Sequence, residues 1–239
     1  MRAMSLIDSV RVLGAMARIS APTLVEAARG SLARATIDDR ARWFGRRVVE
    51  LLDIQLEASG AGNVPPRAVV YMSNHQSHLD IPMLYATLPS PTIRMLAKTE
   101  LFRIPLWGRG LRAAEFIEVD RSNHGRAVQS IEQAARLIRE GVSVYLAPEG
   151  TRSLDGRIGK LKKGGFHLAI ETGAPIVPVA IRGTIGIMPR GGLAMRSGQR
   201  VSVRIGAPIE VSGRDISSLM TEVGDFLVKN VENGTGIAG

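Results

Sequence analysis

The sequence predicts an α/β protein: a mixed, mostly parallel sheet covered by helices, preceded by an N-terminal amphipathic helical segment. Three observations lead there. From about residue 68 onward, short β-branched or apolar runs alternate with longer helical patterns. Before residue 53 the hydrophobic spacing is that of helices. Between the two lies Ser59-Gly60-Ala61-Gly62-Asn63, ending in Pro65-Pro66, a linker composition. The expected organisation is therefore a helical segment over residues 1–58 and an α/β domain over 59–239.

The first helical pattern runs from Leu6 to Ile19. At about 100° per residue, Asp8, Arg11 and Arg18 share a narrow face, and Leu6, Val10, Leu13, Met16 and Ala17 occupy the broad opposite side. The charges interrupt the apolar run, no small-residue cleavage site follows, and no stretch reaches the roughly 18–20 apolar residues a bilayer crossing needs. A second pattern, from about Asp38 to Leu52, brings Phe44, Val48, Leu51 and Leu52 into register. There Arg40, Arg42, Arg46 and Arg47 surround Trp43 and Phe44. Two readings stand at this point. An apolar face with aromatic and arginine flanks suits a helix lying in a membrane interface. The same faces also suit helices packed on the following domain.

In the second part, strands are expected at Ala68–Ser73, Ile93–Ala97, Glu115–Val119, Val142–Ala147, Ile176–Ile181 and Val201–Ile205. Helices are expected at Ile81–Thr87, His124–Arg139, Gly165–Glu171 and Asp215–Val231. Gly191-Gly192 and Ser197-Gly198 read as loop punctuation.

Composition narrows the chemistry. With no cysteine, disulfides, thiolate catalysis and zinc–cysteine sites are excluded. A net charge of +9 implies an anionic partner. Aromatic residues make up only 4%, too few for the stacking platforms of single-strand binders, so no nucleic-acid partner is expected. Anionic lipid or a phosphorylated substrate fits better.

Two polar segments each follow an expected strand directly, where open α/β sheets place their sites. The first is Asn74-His75-Gln76-Ser77-His78-Leu79-Asp80. His75 is the side chain best suited to take a proton near neutral pH. Asp80, five residues on, reaches it only if His75 lies in the turn before a helix starting near Ser77, a start that Pro82 favours. The carboxylate would then hold one ring nitrogen and free the other. No cysteine and no Gly-x-Ser-x-Gly elbow is present, so the attacking group should be a substrate hydroxyl or water.

The second segment, Pro148-Glu149-Gly150-Thr151-Arg152, offers an anion grip. A guanidinium binds phosphate bidentately, and glycine lets backbone amides approach it. Glu149 would organise that arginine or the loop. Arg157, Lys160, Lys162 and Lys163 either extend the basic surface or are simply solvated. Lys98, at a strand end, either contacts phosphate or caps the strand. His124 reads as a surface residue and His167 as a packed core histidine. His78 lacks the neighbours of a metallo-β-lactamase-type cluster, so no metal is expected. Gly108-x-Gly110-x-x-Ala113 does not follow a strand and is set aside as a dinucleotide fingerprint.

These residues resemble the lysophosphatidic acid acyltransferase branch of the glycerolipid acyltransferases. Asn74-His75 with Asp80 is similar to the family's His-x-x-x-x-Asp block. Lys98-Thr99-Glu100-Leu101, leading to Phe116-Ile117-Glu118-Val119-Asp120-Arg121, resembles the second block. Pro148 to Ser153 resembles the third, and Ile176-Val177-Pro178-Val179-Ala180 the fourth, all in the family's order over roughly residues 65–185. Ala147 departs from the aromatic often found before the third block.

The resemblance implies a membrane-surface enzyme using an acyl thioester of coenzyme A or acyl-carrier protein as co-substrate, without a cofactor. The acyl chain would go to the free sn-2 hydroxyl of lysophosphatidic acid, giving phosphatidic acid. It implies His75 and Asp80 as catalytic. Lys98, Arg121, Glu149, Gly150, Thr151 and Arg152 are expected on the substrate side, with Arg121 and the third block on the acceptor's phosphate. It implies peripheral or monotopic placement on an anionic membrane, at the cytoplasmic face. Other lyso-acceptors, such as a lyso-ornithine lipid, glycerol 3-phosphate or another lysophospholipid, remain open, as does a non-catalytic lipid-binding role.

Overall fold

The computed structural model describes residues 3–105, 107–120 and 124–232. In chain order its elements are α1 (Leu6–Ala28), α2 (Arg34–Leu51), β1 (Gln55–Ser59), β2 (Val70–Ser73), α3 (Asp80–Thr87), β3 (Ile93–Lys98), α4 (Thr99–Phe102) and α5 (Trp107–Ala113). There follow β4 (Ile117–Val119), α6 (His124–Arg139), β5 (Ser143–Leu146), α7 (Gly164–Thr172), β6 (Ile176–Arg182), α8 (Thr184–Ile187), β7 (Arg200–Ile205) and α9 (Ile216–Val231). The predicted α/β class is borne out, and each predicted strand and helix appears with its ends shifted by at most a few residues. Four elements escaped the sequence reading: β1, α4, α5 and α8.

Among the described residues the seven strands form one sheet, ordered β1-β7-β6-β2-β5-β3-β4. Strands β2 to β6 run parallel, whereas β7 is antiparallel to β6 and carries β1 parallel to itself. The central strands β2 and β5 are buried on both faces, which explains their unbroken apolar sequence. Alternate residues divide between two cores. Tyr71 and Tyr145 meet Phe44, Val48 and Met83 on one side; Val70, Met72 and Val144 meet Ala134, Phe166 and Leu219 on the other.

The N-terminal helices are tied firmly to the sheet. Gly45 of α2 lies where an added Cβ would come within 2.6 Å of the Pro82 carbonyl oxygen, so only glycine permits this crossing of α2 over α3. Arg94, fully buried on β3, reaches Asp38 of α2 at 2.5 Å and Glu115 at 3.0 Å, and Glu115 also accepts from Arg34. Within α2, Phe44 and Val48 are buried and Arg40 is spent on Glu26 and Thr23 of α1. The packing reading therefore describes α2. Strand β1 straddles the expected boundary at 58/59 and pairs with β7, so the sheet begins inside the segment read as helical.

Helix α1 is different. Its N-cap Ser5 accepts from the Asp8 amide, and Ser9 donates to the Leu193 carbonyl at 2.7 Å. Asp8, Ser9, Val12 and Ala15 face the protein, while Leu6, Ile7, Val10 and Leu13 are each more than half exposed. The charged stripe faces partly inward and the apolar side outward. The helix also runs to Ala28, through Pro22, rather than ending near Ile19. Among the described residues, no helix is long and apolar enough to cross a membrane.

Candidate active site

The carboxyl ends of β2, β5, β3 and β6 share one edge of the sheet, because these strands are parallel neighbours. Both motif segments therefore leave on the same rim. Asn74 splices the end of β2 onto β6: its Nδ2 donates to the Ile181 carbonyl and its Oδ1 accepts from the Ile181 amide, both at 2.8 Å.

His75 follows, in the turn before α3, and its Nδ1 lies 2.7 Å from Asp80 Oδ2. Asp80 is fully buried at the first turn of α3, where the positive end of the helix favours a carboxylate. Oδ2 also accepts from the backbone amides of Gln76 and Ser77, at 2.8 and 3.0 Å. Oδ1 accepts from the Thr184 hydroxyl at 2.6 Å. A carboxylate saturated in this way makes Nδ1 the protonated ring nitrogen of His75 and leaves a lone pair on Nε2. The His75 side chain keeps 22% of its surface open to solvent. The expected turn is present, but α3 starts at Asp80 itself rather than near Ser77.

The third block holds the first from behind. Glu149 Oε1 accepts from the His75 amide at 2.8 Å, and the Ser153 amide donates to the His75 carbonyl at 2.8 Å. The imidazole is thus fixed through its own backbone from both sides. Glu149 Oε2 accepts from the Gly159 amide at 2.7 Å, and an added Cβ at Gly159 would sit 3.0 Å from that oxygen. With both oxygens on backbone amides, Glu149 is buried and braces the loop, the organising role the sequence suggests for it. Burial pushes its pKa up, opposed by the Gly159 and His75 amides.

The cations converge on the same rim. Gly150 turns the loop with φ of 75°, and Thr151 and Arg152 follow on its outer side. The Arg152 guanidinium is half-buried, and its proton affinity is lowered by desolvation and then by the neighbouring Arg190. Desolvation first, and then the charges of Arg152, His75 and Lys98, push the His78 pKa down. Lys98, exposed at the end of β3, thus stands within electrostatic reach of the site. Arg121 lies outside the described residues, as does the side chain of His124. His167 is exposed on α7 rather than packed in the core, because the buried stripe of that helix is Phe166, Leu168 and Ala169. Among the described residues, no three His, Cys, Asp or Glu side chains gather as a metal-binding group.

Sequence reasoning missed Thr184, Gly159 and Arg190. A Gly-Thr pair directly after β6 was the available signal for Thr184, since polar residues at strand carboxyl ends line such sites. Nothing local marked the other two.

The chain is similar to known proteins. The family model described as Acyltransferase matches residues 55–182, just over half of the chain. A chloroplastic 1-acyl-sn-glycerol-3-phosphate acyltransferase of Arabidopsis thaliana is 35% identical over 176 residues, covering 73% of this chain and 48% of its own. The alpha form of 1-acyl-sn-glycerol-3-phosphate acyltransferase from Mus musculus is 32% identical over 165 residues, covering 68% and 58%. This chain spans about half the length of the curated relatives it matches first. The crystal structure of the 1-acyl-sn-glycerophosphate (LPA) acyltransferase PlsC from Thermotoga maritima superposes with a TM-score of 0.81 at 26% identity, covering 95% of both chains.

Proposed function

From the premise that this chain belongs to the Acyltransferase family, we propose that it moves an acyl group from a thioester of coenzyme A or acyl-carrier protein to the sn-2 hydroxyl of lysophosphatidic acid. The observation carrying this reading is the His75–Asp80 pair, 2.7 Å apart, on the same rim as Arg152. His75 Nε2 takes the proton of the hydroxyl as its oxygen attacks the thioester carbonyl. Asp80 holds the ring and offsets the charge that develops on it. Collapse of the tetrahedral intermediate expels the thiolate, which receives the proton back from His75. The product is phosphatidic acid, and no metal or redox cofactor enters the sequence.

Arg152, with Gly150 and Thr151, would grip the acceptor phosphate, assisted by Lys98 and by Arg121. The relatives named for this activity support the acceptor assignment. The outward apolar face of α1 would rest in the headgroup region of an anionic membrane, on its cytoplasmic side. Leu193, 82% exposed beside the start of α1, lies in the loop that follows Arg190, so that surface adjoins the reactive rim.

The test is to incubate the purified protein and a His75→Ala variant with labelled acyl-CoA or acyl-carrier protein and a panel of lyso-acceptors. Wild type should form labelled phosphatidic acid from lysophosphatidic acid. The variant should lose at least about a hundredfold in turnover, the contribution of a general base, while keeping its thermal midpoint. Near-normal turnover by the folded variant would discard the mechanism, and label appearing only in another lipid would reassign the acceptor.

A further inference from the structure

The segment after β6 does more than brace the acid. Thr184 starts α8 and holds Asp80 Oδ1; four residues later the Met188 carbonyl accepts from the Ser77 hydroxyl at 2.7 Å. The chain then makes a tight turn in which the Gly192 amide donates to the Pro189 carbonyl at 3.0 Å, with Gly191 at φ of 84°. Arg190 occupies the second position of this turn, where its exposed side chain projects along the Arg152 loop and Nη1 donates to the Arg152 carbonyl at 3.2 Å. Two bonded ties, at Thr184 and Ser77, therefore fix this turn relative to the base.

Among the described residues, neither the Arg152 nor the Arg190 side chain has a carboxylate partner within ion-pair distance. The bond from Arg190 Nη1 to the Arg152 carbonyl brings a second positive charge to this loop; the proton affinity of Arg152 is lowered first by desolvation and then by the Arg190 charge, with Asp80 acting the other way. Such a pair is relieved by an anion lying against both. A phosphomonoester carries about −1.5 to −2 charge near neutral pH, because its second pKa is about 6. A phosphodiester carries a single charge, which one guanidinium already satisfies.

We propose that Arg190 is a second guanidinium of the acceptor grip, acting with Arg152, and that it sets a preference for acceptors ending in a phosphomonoester over those whose phosphate is a diester. This rests on the acyl-transfer reading given above and specifies its acceptor class. The discrimination comes from charge count, so it needs no contact with the remainder of the head group.

Arg190→Gln tests it, because it removes the charge and leaves a polar side chain; Arg190→Lys keeps the charge without the fork. Initial rates are measured against lysophosphatidic acid and against lysophosphatidylglycerol, a diester, in mixed micelles. Arg190→Gln should raise the KM for lysophosphatidic acid about tenfold, the usual scale for one charge-assisted hydrogen bond, with kcat held within about twofold. The KM for the diester should move much less, so the monoester preference falls, and Arg190→Lys should recover part of it. An unchanged KM for lysophosphatidic acid in the folded Gln variant, or a loss confined to kcat, would show that Arg190 only braces the Arg152 loop and would overturn the proposal. Equal losses with both acceptors would overturn the charge-count argument. Failure of the wild type to acylate lysophosphatidic acid would instead remove the underlying reading, and that arm is separate from the variants.

Discussion

Thr184 offers the sharpest test of how the base is held. Three of the four donors to Asp80 come from the loop over residues 75–77 and act on Oδ2; Thr184 alone reaches Oδ1, and it comes from beyond β6. Thr184→Val keeps the side-chain shape in a fully buried position and removes one hydroxyl. The carboxylate then loses its Oδ1 partner where water does not reach. Leaving a charged buried acceptor short of one hydrogen bond costs about 2 kcal/mol, or roughly 4–8 °C in Tm for a protein of this size. The carboxylate is also freed to pivot about Oδ2, which loosens the imidazole. If about 1.4 kcal/mol of that loss appears in the transition state, kcat falls about tenfold. The acceptor KM should stay within about twofold, since the Ser77–Met188 bond still holds the turn that carries Arg190. Thermal unfolding and steady-state rates with lysophosphatidic acid measure both effects, and Thr184→Ser should restore them. A Tm within about 1 °C and a kcat within about twofold of wild type would refute the claim that Oδ1 is held for catalysis.

Two further outcomes are expected. Glu149→Gln can accept only one of the two backbone N–H groups that the carboxylate serves, so it should lower stability by about 1–3 kcal/mol and slow turnover through the displaced His75 backbone. Because burial raises the native pKa of Glu149 above its ordinary 4.5, the native state takes up its proton before the unfolded state does. Wild-type stability relative to the variant should therefore rise as pH falls through the raised value toward about 4.5; a difference that stays flat between neutrality and about pH 4.5, followed by urea titration, would remove this group from the site's electrostatics. On the outward apolar face of α1, replacing Leu6 and Leu13 together by aspartate should leave Tm nearly unchanged, since both are more than half exposed, and should cut sedimentation with phosphatidylglycerol vesicles at least about tenfold if that face is the proposed membrane contact. Undiminished sedimentation would move the membrane contact elsewhere.

Much of the fold was legible because its period was legible. Central strands read as continuous apolar runs, and α6 reads from His124 to Arg139 with both ends where the sequence places them. Strand β1 did not, because four of its five residues are exposed and its pairing with β7 depends on a partner far along the chain. The orientation of α1 was hidden for a related reason. An amphipathic pattern shows that a helix has two sides but not which one the protein covers; here Ser9 and its bond to the Leu193 carbonyl help decide it.

The site divides along the same line. His75, Asp80 and Arg152 were readable because each carries chemistry that its neighbours alone could not explain. Glu149 was readable as important, yet its role is set by a long-range pairing that no local pattern contains. It ties the His75 amide to the Gly159 amide and so converts two separate strand-end loops into one rigid frame. The third block accordingly presents two groups on opposite faces: the acid turned inward to hold the base's backbone, and the arginine on the outer side, where the proposed acceptor phosphate would lie. A frame of that kind would keep the imidazole and the cation at a constant separation while the proposed acceptor binds. That separation is what acyl transfer to a phosphate-bearing alcohol requires, because the reacting hydroxyl and the phosphate sit at a fixed distance on one glycerol.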